Sequence, residues 1–150
     1  MPTWTNGWLD PGKSKPSGQD LAAIAAILCH MDYKLELVGV PVSDTDRAKA
    51  FYVSIGFTAD HDHQVSDDLR FVQLTPPGSG CSIALGEGIS PMQPGELQGL
   101  QLVVSDIEVA HAMLADNGVD HTEVQDFPWG RFVFFKDPDG NGWAIQEIQR

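Results

Sequence analysis

The sequence predicts an α+β fold made of two tandem copies of one unit, a strand, a helix and three more strands, and three observations carry that expectation. Asp44 in Pro41-Val42-Ser43-Asp44 recurs as Asp106 in Val103-Val104-Ser105-Asp106, an offset of 106 − 44 = 62 residues. Gly56 and Gly118 each close an amphipathic stretch at that same offset, with Phe57 falling on Val119. Pro76-Pro77-Gly78-Ser79-Gly80 likewise falls on Pro138-Asp139-Gly140-Asn141-Gly142, and Ile83 lands on Ile145. Separated landmarks that share one spacing without a gap indicate a duplicated supersecondary unit.

Residues 1–30 stand outside the repeat as an N-terminal extension. A Pro- and Gly-rich stretch carrying Trp4 and Trp8 leads to Ser17-Gly18-Gln19-Asp20 and then to the Ala-rich run Leu21 to Leu28. Ser17 and Asp20 have capping-box spacing, which predicts a short helix of roughly ten residues that is marginal unless it packs on something. Two readings of the extension stay open: translation can begin at Met31 and dispense with it, or its Trp and Leu/Ile residues dock on the body or on a second subunit.

The first repeat is expected at about 33–87. Leu35 to Val42 is rich in β-branched residues and ends at Ser43-Asp44, an N-cap signal for a helix over Thr45 to Ser54. Ala48, Phe51, Tyr52 and Ile55 recur at spacings of three and four and give that helix one buried stripe, which Gly56 terminates. Phe57 to Ala59, Leu69 to Leu74 and Cys81 to Leu85 supply three strands, with Asp60 to Asp68 as a polar loop. The second repeat, about 97–150, runs in parallel: strand Leu100 to Val104, helix Ile107 to Asn117, stop at Gly118, then strands Val119 to Val124, Arg131 to Phe135 and Trp143 to Ile148.

With 150 residues, 42% apolar content and a formal net charge of −12, the chain can bury one core but would be repelled by nucleic acid and by anionic membranes. The apolar run Leu21 to Leu28 is far shorter than the ~20 residues that span a bilayer, and neither it nor its flanks form a signal peptide. Cys29 and Cys81 make no disulfide framework and no C-x-x-C pair, which fits a cytoplasmic location.

Val40-Pro41-Val42-Ser43-Asp44, Arg47-Ala48 with Phe51-Tyr52, Gly56-Phe57, and Phe135 to Trp143 around Asp137-Pro138-Asp139-Gly140-Asn141 together resemble the vicinal oxygen chelate superfamily, which includes glyoxalase I, extradiol dioxygenases, methylmalonyl-CoA epimerase, fosfomycin-resistance enzymes and bleomycin-binding proteins. The resemblance covers about Tyr33 to Arg150. It implies two curved sheets around a cleft and, in the enzymes, a divalent metal held by ligands from the first and last strands of each repeat. Carried onto this chain, those ligand positions are Leu37, Ser82, Gly99 and Ala144. They offer at best one hydroxyl, whereas such an ion needs three or more nitrogen or oxygen ligands. No metal and no other cofactor is therefore expected. Glu147 has the opposite strand parity to Ala144 and should point away from the cleft.

The histidines offer little else. His61-Asp62-His63 would set both rings on one face if it were a strand, near Asp67 and Asp68, but it falls in the expected loop and reads as solvated. His111 and His121 read as surface or packing residues, and His30 precedes the repeats. No Ser-His-Asp, Cys-His or G-x-S-x-G arrangement supports acyl transfer. The glycine-rich turns do not open helices, so they are not phosphate loops.

Strand alternation assigns the cleft lining. Ala144 brings Gln146, Gly99 brings Gln101 and Val103, and Leu37 brings Leu35 and Gly39. Val72 and Leu74 should pack on the helix, turning Phe71 and Gln73 toward the cleft, and the 62-residue offset then places Val133 and Phe135 there as well. Phe127, Pro128 and Trp129 would form a lid or wall. The ligand-binding set expected is Leu37, Phe71, Gln73, Ser82, Gln101, Trp129, Phe135 and Gln146, although Gln73, Gln101 and Gln146 would also satisfy the sequence by bonding to one another. Aromatic walls with a few amides suit a planar, partly apolar small molecule. The resemblance adds the expectation of a homodimer with clefts at the subunit boundary, as in bleomycin-binding relatives. Two other functions stay open. One is a glyoxalase-, epimerase- or dioxygenase-like enzyme with a shifted metal set, or with acid–base work by Glu147, Tyr52 or His63; the other is a regulatory or structural module with a vestigial cleft.

Overall fold

The computed structural model describes residues 17–28 and 31–148. Trp4, Trp8, Cys29 and His30 lie outside the described residues. The chain divides into two compact units, Met1–Tyr33 and Lys34–Arg150.

In the first unit, helix α1 spans Gly18–Leu28. Its capping box is formed: the Ser17 amide donates to Asp20 Oδ2 at 2.9 Å and the Asp20 amide to Ser17 Oγ at 3.2 Å. The Ser17 hydroxyl, which donates to Asp20 Oδ2 at 2.6 Å, and then the Ser17 amide hold the Asp20 carboxyl below the usual carboxylate range.

The second unit holds both repeats. The first comprises β1 (Leu37–Gly39), α2 (Thr45–Ser54), β2 (Thr58–Ser66), β3 (Leu69–Thr75) and β4 (Ser82–Leu85); the second comprises β5 (Leu100–Val104), α3 (Ile107–Asp116), β6 (Gln125–Phe127), β7 (Gly130–Lys136) and β8 (Gly142–Glu147). Each forms a four-stranded mixed sheet, in the orders β1-β4-β3-β2 and β5-β8-β7-β6. Both helices start where the Ser-Asp pairs require. Asp44 accepts from the Arg47 amide, and Asp106 from the amides of Glu108 and Val109, so the first-turn donors are not left orphaned. Both end alike: the Phe57 amide reaches Tyr52 O and the Val119 amide Leu114 O, each at 3.0 Å. The intervening Gly56 and Gly118 take positive φ of 104° and 68°, a conformation that glycine adopts without steric cost.

Ala48 and Tyr52 from α2 and Ile55 at its C-cap, Val72, Leu74, Ile83 and Leu85 from the first sheet, Ile107 and Leu114 from α3, and Val133, Phe135, Trp143 and Ile145 from the second sheet all join one core cluster. The helix-bearing faces of the two sheets thus share a core, and each sheet keeps an opposite, more open face.

Three local expectations need correction. Asp60 to Asp68 is not a loop: β2 runs through Ser66, pairing with β3 across two irregularities, and all nine of its residues are exposed. An edge strand wet on both faces tolerates Asp and His, so composition alone misread it. His61 and His63 therefore do share a strand face, with ring centroids 5.8 Å apart. The strand expected at Val119 to Val124 lies instead at β6, and His121 makes only an isolated bridge to Phe135.

The third concerns Val133 and Phe135, which face the core rather than the open side. Leu74 pairs with Ile83, nine residues on (83 − 74 = 9), whereas Val133 pairs with Ile145, twelve on (145 − 133 = 12). The β7–β8 hairpin is shifted by three residues relative to its counterpart, and an odd shift exchanges the two faces of a strand. Phe132 and Phe134 take the open side.

Candidate functional site

The open face of the second sheet carries a groove. Its larger section, a cavity of about 830 Å³, lies between the start of β5, residues 120–122 and the β7–β8 turn, with Gly99, Thr122, Phe134, Lys136 and Ala144 among its lining. Its smaller section, about 370 Å³, is walled by Gln101, Phe127, Trp129, Phe132, Phe134 and Gln146. Phe134 belongs to both, so the sections adjoin.

Four rings make the aromatic wall. Phe127 stacks on Trp129 with centroids 5.4 Å apart, meets Phe132 edge-on at 5.6 Å, and Phe132 stacks on Phe134 at 5.8 Å. Alternation along β7 sends Phe132 and Phe134 to this side, opposite Gln146 and Ala144 of β8. Trp129 sits in the two-residue turn between β6 and β7 and is 65% exposed, while Phe134 is 37% exposed. Adjacent large rings left this open form an apolar patch outside the core, the kind of surface that marks a candidate binding site.

The amides are ordered. Gln146, buried, donates from Nε2 to Trp129 O at 3.0 Å and accepts at Oε1 from Gln101 Nε2 at 2.5 Å. The cross-sheet pairing of glutamines is thus met for Gln101 and Gln146, whereas Gln73 donates to Ser82 Oγ at 3.2 Å on the first sheet. There Leu37 lies in register with Ser82, and His61 and His63 are opposite Gln73 and Phe71. Ser82 is also bonded to Thr75 Oγ1 at 2.6 Å. The expected residues therefore divide: Gln101, Trp129 and Gln146 converge on the groove, Leu37, Phe71, Gln73 and Ser82 lie on the open face of the first sheet, and Phe135 lies in the core, reaching only the edge of the larger cavity. Phe132 and Phe134 were missed because the 62-residue offset was carried through a hairpin of different length.

The larger section is framed by a buried polar network. Tyr52 donates to Asp137 Oδ2 at 2.8 Å and accepts from Trp143 Nε1 at 3.0 Å; Asn141 Nδ2 reaches Asp137 Oδ2 at 2.7 Å and Pro41 O at 2.8 Å. Burial, with the Asp137 charge, pushes the Tyr52 hydroxyl well above the ordinary tyrosine range. Outside it, Asp139 accepts from Ser43 Oγ at 2.5 Å and from Arg47 at 3.2 Å. Glu147 points away from the groove and caps α3, accepting from the Ile107 amide at 2.7 Å. Tyr52 and Glu147 are thus committed to structure, and neither faces the groove.

The superfamily's metal does not fit these residues. Leu37 and Ser82 face each other in register, and Gly99 and Ala144 lie on the second sheet's open side, so the four positions supply a single hydroxyl. Among the described residues, no group of three or more His, Cys, Asp or Glu side chains could hold a metal ion.

A family model described as Glyoxalase/Bleomycin resistance protein/Dioxygenase superfamily matches residues 34–145. The chain belongs to that superfamily. Among curated proteins, the uncharacterized protein YetH of Bacillus subtilis (strain 168) is 30% identical over 115 residues, covering 73% of this chain and 94% of YetH. Among solved structures of the superfamily's fold, TnmS3, an antibiotic binding protein from Streptomyces sp. CB03234, is 37% identical with a TM-score of 0.73, covering 80% of this chain and all of TnmS3 (100%). A glyoxalase/bleomycin resistance protein from the same Streptomyces is 38% identical with a TM-score of 0.67, covering 75% and 99%. Among the described residues, no helix is long and apolar enough to cross a membrane.

Proposed function

We propose that this protein binds a planar, partly apolar small molecule in the groove of its second repeat and sequesters it, without a metal or other cofactor and in the cytoplasm. The observation that carries this reading is an aromatic wall in which exposed Trp129 and Phe134 are backed by half-buried Phe127 and buried Phe132, beside the ordered Gln101–Gln146 pair. Rings of this size bury 150–250 Å² each when covered, enough to bind an aromatic compound through stacking. The likeness to an antibiotic binding protein supports a ligand of that general kind. Because Trp129 and Phe134 stay open in the single chain, we further propose a homodimer in which the partner subunit closes the groove, with residues of the first sheet such as Leu37, Phe71, Gln73 and Ser82 as the facing surface.

A thermal-shift screen of planar antibiotics and aromatic metabolites tests this, read beside elemental analysis of the purified protein. The expected result is a set of stabilising heteroaromatic compounds, no stoichiometric metal, and loss of the shifts in Trp129→Ala. Near-stoichiometric metal, or shifts indifferent to Trp129, would overturn it.

A further inference from the structure

The direction of the hydrogen bonds in the groove selects the ligand's polar group. We infer that the site prefers planar ligands bearing an N–H or O–H donor beside the ring system, received by the side-chain oxygen of Gln101; this rests on the groove being the binding site.

The chain of reasoning begins at a backbone carbonyl. Trp129 O can only accept, so the end of the Gln146 amide that lies 3.0 Å from it is the NH₂ group. That fixes the other end of the same amide, Oε1, toward Gln101. An oxygen there can be approached at 2.5 Å only by a donor, so Gln101 presents its NH₂ group to Gln146. The orientation of both amides follows from one carbonyl, with no freedom to flip either.

Gln101 Oε1 is then the unused acceptor of the relay. The Gln101 side chain bonds only to Gln146 among the described residues, is exposed, and lines the same groove as the Phe132 and Phe134 rings, two strands away on the same sheet. A ligand stacked on those rings meets a carbonyl oxygen. If it carries a donor, that oxygen is satisfied; if it carries none, the ligand displaces the oxygen's water without replacing the bond, which costs affinity. The chain's net charge of −12 acts in the same sense, since it disfavours ligands whose polar edge is an anion.

Gly130 makes the relay possible. A Cβ at this position would stand 2.8 Å from Gln146 Nε2 and 2.8 Å from Glu147 O, and the glycine has φ of +146°. Only a residue without a side chain lets the Gln146 amide pass over the start of β7 to reach Trp129 O.

Isothermal titration with 2-aminophenazine, 2-methylaminophenazine and 2-(dimethylamino)phenazine tests the inference, since the three share one ring system and carry two, one and no N–H groups. The first two are expected to bind alike, and the third about five- to tenfold more weakly, the worth of one hydrogen bond. In Gln101→Leu the three should converge on the affinity of the dimethyl compound. Equal binding of all three to the natural protein, a stepwise decline that follows methyl count, or a preference that survives in Gln101→Leu would overturn the donor rule while leaving the groove as a binding site. Binding of none of them would overturn both.

Discussion

The two Pro/Gly turns hold the same place in their repeats and differ in reach. In the first, among the described residues, the Ser79 hydroxyl bonds only to Cys81 O and the Cys81 amide and the Ser79 amide to Pro76 O, and 77–80 are exposed. In the second, Asn141, which is Ser79 plus 62, donates to Pro41 O, a hundred residues away in sequence, and accepts from the Leu97 amide. Asp137, the counterpart of Thr75, is buried and receives the Tyr52 hydroxyl from α2. The connection runs one way only, because the counterparts of Tyr52 and Trp143 in the opposite repeats are Leu114 and Cys81, which cannot make it. The repeat gives two turns of like sequence in hairpins of different length; of the two, among the described residues, the second alone hydrogen-bonds to the other repeat, and the larger section of the groove lies beside it.

The sharpest way to break this comparison is to remove the tie. Asp137→Ala leaves the Tyr52 hydroxyl, one of the two Asn141 Nδ2 hydrogens and the amides of Asp139 and Asn141 without their acceptor. It should cost about 3 kcal/mol in urea denaturation, since several buried donors lose one charged partner. The matching Thr75→Ala should cost about 1 kcal/mol. Equal costs would mean that the two turns are energetically equivalent.

A second contrast lies between the open faces. Trp129→Ala should weaken binding of a planar probe by about 2 kcal/mol, roughly thirtyfold, and Phe134→Ala by somewhat less. If the first sheet alone made the site, Phe71→Ala would instead carry the larger loss.

Tyr52 offers a finer test through pH. Its hydroxyl keeps its proton well above the ordinary value of 10.0 because of burial and Asp137, while in the unfolded chain it ionises near that value. A pKa raised on folding gives stability that is fully present below pH 10 and is lost as pH rises through the folded-state pKa. Tyr52→Phe should lower stability by about 1 to 1.5 kcal/mol at neutral pH and flatten the decline above pH 10. An unchanged alkaline slope in the variant would assign the decline to other groups.

The fold was legible because its signals are local. Ser-Asp caps, the Gly stops at 56 and 118 and the two Pro/Gly turns each dictate backbone geometry within a few residues, so a repeated spacing reported a repeated unit. The groove was half legible. Gln101 and Gln146 follow from alternation on strands anchored by these landmarks, and Trp129 from its place before β7. Phe132 and Phe134 did not follow, because register across a hairpin depends on how many residues pair, which no single landmark records. The network of Tyr52, Asp137 and Asn141 was also invisible, since it is joined to the first repeat by contacts 85 and 100 residues apart in sequence.

The smallest effect expected is where the repeats remain alike. Arg70 links Asp46 of α2 to Asp62 of β2, at 2.9 Å each, and Arg131 in the same way joins Glu108 of α3 to Asp126 of β6. Bonds from Arg70 and Lys49 hold the Asp62 carboxyl well below the usual carboxylate range. A depressed pKa gives stability present above the unfolded-state value near 4 and lost as pH falls through the folded-state value. These pairs are open to solvent, so Asp62→Asn should cost no more than about 0.5 kcal/mol at pH 7, with the difference from the natural protein fading in acid and in high salt. Asp126→Asn should be as mild at pH 7, and its cost should likewise fade in high salt. A cost several times larger in one repeat than in the other would show that the asymmetry extends beyond the turn into the helix-to-sheet ion pairs.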